Sequence, residues 1–108
     1  MSYYPIFLDL RNRLCLIVGG GEIAARKVEG LLRTGARVTV ISPEATEAIQ
    51  RLAHDGKLGL HMRPYQRGDL RGYFLAYTAT GAPEVDKEMA EEARSEGVLL
   101  NVVDRPEL

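Results

Sequence analysis

The chain has 108 residues, 45% of them apolar, with 14 basic side chains against 15 acidic ones, which suits one soluble globular domain able to bury a core. The charges are nearly balanced and interspersed, so there is no basic footprint for nucleic acid or for an anionic membrane surface. The apolar runs are strand-sized and broken by charge, and the opening MSYYPIFLDL lacks both a basic lead and a signal core of sufficient length, which makes the cytoplasm the default compartment.

In chain order, the runs at 6–10 (IFLDL) and 14–18 (LCLIV) predict two strands around Arg11-Asn12-Arg13, where Asn12 can take the left-handed conformation of a tight turn. The second run is counted as strand one. It holds the single cysteine, Cys15, which has no disulfide partner and no metal-ligand neighbours and reads as a core thiol. A helix over 22–34 follows, with Ala24, Val28, Leu31 and Leu32 on one face and Gly35 as its left-handed cap. RVTVIS, 37–42, is strand two, and Ser42 as cap with Pro43 in the first turn predicts a second helix starting there. Ile49, Leu52 and Ala53 form its inner stripe and Gly56 closes it.

Leu58, Leu60 and Met62 alternate with smaller or polar neighbours and predict strand three, near the sheet edge because only one face is apolar. Residues 73–78 give strand four, running on to Thr80. Pro83 opens a third helix that ends at Gly97, and 98–103 gives strand five. His54 and His61 have no companions at ligand spacing, so no metal site is expected. Strands alternating with helices predict an α/β fold of Rossmann type: one domain over 1–108, three layers, a parallel sheet of order 3-2-1-4-5 and a short N-terminal β-strand in addition. The order reverses between strands one and four, so the carboxyl ends of strands one, four and five line one crevice.

Directly after strand one and before a helix stands Gly19-Gly20-Gly21-Glu22-Ile23-Ala24, which reads G-x-G-x-x-A. Its first glycine permits the sharp turn, its second lets backbone amides approach a pyrophosphate, and Ala24 is small enough for close packing of helix on sheet. The positive helix end attracts the same anion. The plainer reading is a glycine cluster that only turns the chain. At the tip of strand two, Ser42, backbone groups or Glu44 would meet the ribose, and no arginine is adjacent to grip a 2′-phosphate. An unpaired, partly desolvated dianion is the larger penalty, so the expected cofactor is NAD rather than NADP. Thr80 either touches the cofactor or finishes its strand, Asn101 reads as a polar strand residue, and Arg26 and Lys27 read as a solvated helix face.

Three stretches, YPIFLDLRNRLCLIVGGGEIAARKVEGLLRTGARVTVISPE, AYTATGAPEVDKEMAEEA and NVVDRPEL, resemble the precorrin-2 dehydrogenase family over essentially the whole chain. That family comprises the N-terminal domain of siroheme synthase and its single-function relatives. The resemblance implies NAD-dependent oxidation of the tetrapyrrole precorrin-2 to sirohydrochlorin in siroheme synthesis; some members are also sirohydrochlorin ferrochelatases, with ferrous iron as substrate. It implies that Asp104, the aspartate of NVVD, takes part in the chemistry, that Glu22 and Ile23 lie at the pyrophosphate, and that Pro43 and Glu44 lie near the adenosine ribose. A carboxylate at the end of strand five suits a general base, although aspartate before Arg105-Pro106 is also a common turn residue.

Two departures stand out: Gly81-Ala82 replaces acidic or amide residues, and Asn12 replaces a frequent glycine. The family continues into a dimerisation segment and a small helical domain, so the resemblance implies the cofactor domain of a longer, homodimeric protein. A polycarboxylate tetrapyrrole needs a broader pocket than one such domain builds, so NAD binding without efficient turnover is expected of the chain alone. The rival reading is a regulatory domain that senses NAD without reaction. It explains the glycines equally well but leaves Asp104 without a role.

Overall fold

The computed structural model describes residues 2–103. Along them run β1 (Leu14–Val18), α1 (Glu22–Arg33), β2 (Arg37–Ile41), α2 (Glu47–His54), β3 (Gly59–His61), β4 (Leu75–Thr78), α3 (Pro83–Glu96) and β5 (Leu99–Val102). The strands form one parallel sheet in the order β3-β2-β1-β4-β5. Central β1 shows why its run is apolar throughout: it is covered on both faces. Cys15 and Ile17 point into the layer of Val28 and Ile49, while Leu16 and Val18 point into the layer of Leu70, Met89 and Ala93. Burial pushes the Cys15 thiol above its ordinary pKa, with Arg13 opposing, as befits a core thiol.

Local chemistry sets the helix ends. Gly35 (φ +83°) follows α1, and Gly97 (φ +70°) caps α3, conformations that cost glycine nothing. Asn12 takes φ +61° in the turn before β1. Its amide donates to the Gly35 carbonyl at 2.9 Å, which ties that turn to the end of α1.

The structure corrects three expectations. Residues 6–10 form no strand: Tyr3, Tyr4, Ile6 and Phe7 are exposed, and Leu10 alone of the run tucks into the core. The turn at Asn12 leads back beside β1, whose two edges are already taken by β2 and β4, so the run has no ladder to join. The second helix starts at Glu47 rather than at Pro43. Ser42 does not cap it; its hydroxyl donates to the Glu44 carbonyl at 2.6 Å, and Thr46 is the cap, its Oγ1 accepting from the Ile49 amide at 3.2 Å. Finally, β4 stops at Thr78, two residues before Thr80.

Leu16→Ala, which empties a fully buried position in the central strand, lowers unfolding free energy by about 2–5 kcal/mol in a urea titration. Leu14→Ala in the same strand, at a position 45% exposed, costs under about 1 kcal/mol.

Candidate functional site

The carboxyl ends of β1, β2 and β4 meet where the strand order reverses, and the glycine turn runs between them. Gly19 has φ +127°, and its amide donates to the Ile41 carbonyl at 2.9 Å. A Cβ on Gly19 would stand 2.7 Å from the Ala79 carbonyl oxygen. A Cβ on Gly20 would overlap the Glu44 carbonyl oxygen and stand 2.9 Å from the Ala45 Cα. The loop after β2 therefore lies directly on Gly20, fastened by the Thr46 amide donating to the Gly20 carbonyl at 2.9 Å. Gly21 is different: a Cβ there would meet nothing within 4 Å.

Around this turn opens a cleft of about 550 Å³ lined by Gly19, Gly20 and Gly21, residues 42–46, Ala79 and Thr80. Helix α1 starts at its rim with no side-chain cap, whereas α2 is capped by Thr46. The first intrahelical bond is from the Ala25 amide to the Gly21 carbonyl, and among the described residues the amides of Gly21, Glu22, Ile23 and Ala24 find no acceptor. Those unpartnered donors and the helix dipole make the rim attractive to an anion.

Two smaller hollows adjoin the cleft. One, about 200 Å³, is formed by Ile23, Ala79, Thr80, Gly81 and Val103. The other is an apolar slot of about 170 Å³ that shares Gly19, Ser42, Pro43 and Thr80 with the cleft, and Pro64, Tyr65 and Val85 close it.

The fold thus brings Gly19, Gly20, Gly21, Ser42, Pro43, Glu44 and Thr80 around one cleft. Ile23 faces the adjoining hollow, and Glu22 is exposed in the first turn of α1 without lining the cleft. Ser42 is buried with its proton committed to Glu44, so toward a ligand its oxygen can only accept; the exposed Glu44 side chain is the freer group. The Thr80 hydroxyl oxygen accepts from the Ala82 amide at 3.1 Å. Lys27 is not merely solvated: its Nζ stands 5.9 Å from the centroid of the Tyr77 ring. Asn101 is exposed beside Tyr77 in the β4–β5 register. Asp104 lies outside the described residues. Among the described residues no group of three His, Cys, Asp or Glu gathers to hold a metal, and no helix is long and apolar enough to cross a membrane.

Sequence reasoning misses the polar ties that hold the crevice walls. The Thr78 hydroxyl donates to Asp86 Oδ1 at 2.7 Å, joining the end of β4 to the first turn of α3. Arg63 grips Asp69 through two hydrogen bonds of 2.9 and 3.0 Å, and Glu92 receives the Tyr65 hydroxyl and the Leu70 amide. A usable signal was present: Asp86 and Glu92 share the inner stripe of α3 with Met89 and Ala93, and a carboxylate on a buried stripe must be paired. Burial alone would push the Asp69 carboxyl up, but Arg63 and the Gln66 amide outweigh it and hold Asp69 below its ordinary pKa.

A parallel sheet with its order reversed at β1, helices on both faces and a glycine-lined cleft at the reversal is the architecture of the Rossmann-type α/β domains. A family model described as "Putative NAD(P)-binding" matches residues 6–108, and the chain belongs to that family. It is 44% identical over 108 residues to the siroheme synthase of Pseudoalteromonas atlantica and 45% identical to that of Methylococcus capsulatus. Each alignment covers all of this chain and 23% of the relative, so the chain spans about a quarter of their length. Among solved structures, SirC, a precorrin-2 dehydrogenase, superposes with a TM-score of 0.83 at 32% identity, over 94% of this chain and 49% of that one. The apo-structure of D-lactate dehydrogenase from Escherichia coli superposes with a TM-score of 0.66 at 14% identity, over 88% of this chain and 29% of that one, a likeness of fold alone.

Two experiments check this geometry. Gly20→Ala lowers the melting temperature markedly because the Glu44–Ala45 backbone must retreat, whereas Gly21→Ala, at a helix start in open space, costs no more than about 1 kcal/mol. The Asp69 pKa is depressed in the folded chain, so its stabilisation is complete above the unfolded carboxylate value and is lost as pH falls through the folded one. In a series of urea melts against pH, Arg63→Met flattens that acidic limb.

Proposed function

We propose that the chain is the dinucleotide-binding domain of an NAD-dependent dehydrogenase that converts precorrin-2 to sirohydrochlorin. The observation that carries the cofactor half of this reading is Gly21: among the described residues nothing lies within 4 Å of where its side chain would stand, and its own amide and the first three amides of α1 are unpartnered. A diphosphate fits that position, taking up the amides of Gly21, Glu22 and Ile23. The exposed Glu44 carboxylate accepts hydrogen bonds from the adenosine ribose hydroxyls, and the apolar slot beside Pro43 and Tyr65 takes the adenine. Among the described residues none that lines the cleft is cationic and Glu44 is acidic, which favours a bare ribose over a 2′-phosphate and so NAD over NADP.

Bound NAD supplies a hydride acceptor at its nicotinamide ring. Ile23, Ala79, Thr80, Gly81 and Val103 form the hollow on the nicotinamide side and keep water from it. Asp104 follows Val103 directly in sequence, and its carboxylate takes up the proton released when precorrin-2 loses a hydride. Support for this substrate comes from SirC and the siroheme synthases, the proteins this chain is similar to. A homodimeric parent protein and ferrous iron as a further substrate rest on the family resemblance alone.

Calorimetric titration tests the cofactor: NAD+ binds more tightly than NADP+, and the reverse order overturns the choice. In the complete parent protein, Asp104→Ala retains NAD+ affinity and lowers NADH formation from precorrin-2 by about a hundredfold or more. Undiminished turnover removes Asp104 from the chemistry, and NAD+ binding with no turnover even by the unaltered parent favours the sensor reading.

A further inference from the structure

One wall of the apolar slot comes from a long connection rather than from a strand, a helix or the short turns that follow the strands. Pro64 and Tyr65 belong to the connection between β3 and β4, while the other sides come from Val18, Ile41 and Val85 of β1, β2 and α3 and from the turns directly after β1, β2 and β4. A binding surface on an irregular segment is only as definite as its anchors. Here the anchor is Glu92 on α3, 3% exposed and set between Met89 and Ala93. Its Oε1 accepts the Tyr65 hydroxyl at 2.5 Å, and its Oε2 accepts the amide of fully buried Leu70 at 3.2 Å. One carboxylate thus holds two points of the connection, and one of those points is the tip of the ring that forms the slot wall.

The chemistry of the pair suits a fixed wall. Burial, and then the Glu92 carboxylate, push the Tyr65 phenol above its ordinary pKa, so it remains a donor to Glu92 at every physiological pH. Packing alone asks for no carboxylate at position 92: the neighbouring buried positions on that face of α3 are Met89 and Ala93, and an aliphatic residue fills such a site at less desolvation cost. The Glu92 carboxylate does what an aliphatic residue cannot: it accepts from the Tyr65 hydroxyl and the Leu70 amide, and so fixes the connection and the tip of the Tyr65 ring.

We propose that Glu92 is a positioning residue for cofactor binding, holding Tyr65 as the wall against which the adenine of the dinucleotide packs. The proposal rests on the dinucleotide reading of the cleft and adds to it the group that sets the grip on the adenine end. The pyrophosphate and nicotinamide ends, held by the glycine turn and the hollow at Ile23, lie on other elements and are independent of Glu92.

The test is a calorimetric comparison of NAD+, AMP and nicotinamide mononucleotide on the unaltered chain, Tyr65→Phe, Glu92→Leu and Glu92→Gln, with melting temperatures in parallel. Tyr65→Phe, which keeps the ring and loses only the hydroxyl, weakens NAD+ and AMP about fivefold and leaves nicotinamide mononucleotide unchanged. Glu92→Leu does the same, and Glu92→Gln, which keeps an oxygen for the Tyr65 hydroxyl, recovers most of the loss. A merely structural role predicts a lower melting temperature with an unchanged ratio of AMP to nicotinamide mononucleotide affinity. That result overturns the proposal, as does an unaltered chain that binds NAD+ but not AMP. Should Glu92→Leu fail to fold, Tyr65→Phe still decides. An unaltered chain that binds none of the three nucleotides overturns the dinucleotide reading itself, whereas variants that match a chain binding NAD+ overturn only the role of Glu92.

Discussion

The working end of this molecule is governed by how closely the β2–α2 loop can lie on the glycine turn. With no side chain at Gly20, the Glu44–Ala45 backbone comes into direct contact with it, and the Thr46 amide reaches the Gly20 carbonyl. That bond draws residues 42–46 across the turn before the chain can coil into α2. The helix therefore starts at Glu47 under a Thr46 cap, and Ser42 spends its hydroxyl on the Glu44 carbonyl within the loop. The same crossing leaves the Glu44 side chain exposed at the mouth of the cleft. One steric allowance thus sets the helix start, the cleft wall and the position of the acidic group beside it.

The three adjacent glycines answer to different forces. Gly19 and Gly20 are required by the protein's own backbone, one by Ala79 and a positive φ, the other by Glu44 and Ala45. Neither would need to change if the domain bound nothing. Gly21 has an ordinary φ of −87° and open space around it, so no contact among the described residues accounts for its lack of a side chain. In a G-x-G-x-x-A pattern the first glycine serves the turn and the second admits a ligand; here Gly19 meets Ala79, and Gly21 meets no described residue.

Sequence made the sheet readable because each strand run was either uniformly apolar or alternating, and each helix stripe had a stop residue after it. The order β3-β2-β1-β4-β5 follows from those elements and the handedness of crossovers. Periodicity misled at residues 6–10, where Ile6, Leu8 and Leu10 alternate as a strand would, because pattern reports a face and not whether a free edge exists to pair with. Capping chemistry misled at Ser42-Pro43, a sound helix start by local rules, because the close approach to Gly20 is a tertiary constraint that local rules do not contain. The three cleft glycines were legible since the motif is contiguous, and Ser42, Glu44 and Thr80 since they stand at strand ends. The ties at Thr78–Asp86 and Tyr65–Glu92 were not, since their partners come from different elements and only the misplaced charge on an inner stripe hinted at them.

Those buried acids explain how loops without regular structure keep a defined crevice. Asp86 lies in the first turn of α3, where the helix dipole favours a carboxylate, and its bond to Thr78 pins that turn to the end of β4. Glu92, six residues further on, reaches the connection before β4 on the same side of the sheet. Helix α3 thus acts as a strut: its apolar residues Met89 and Ala93 pack on Leu16 and Ala76, and its two acids hold the walls on either side of the β4 strand end. Hydrophobic burial alone fixes the distance between helix and sheet but not the register of the loops above it, since apolar contacts are non-directional. Directional, charge-assisted bonds from an already packed helix supply the missing specification. A loop-built crevice on so small a domain therefore needs buried acids that its core, judged by packing alone, would do better without.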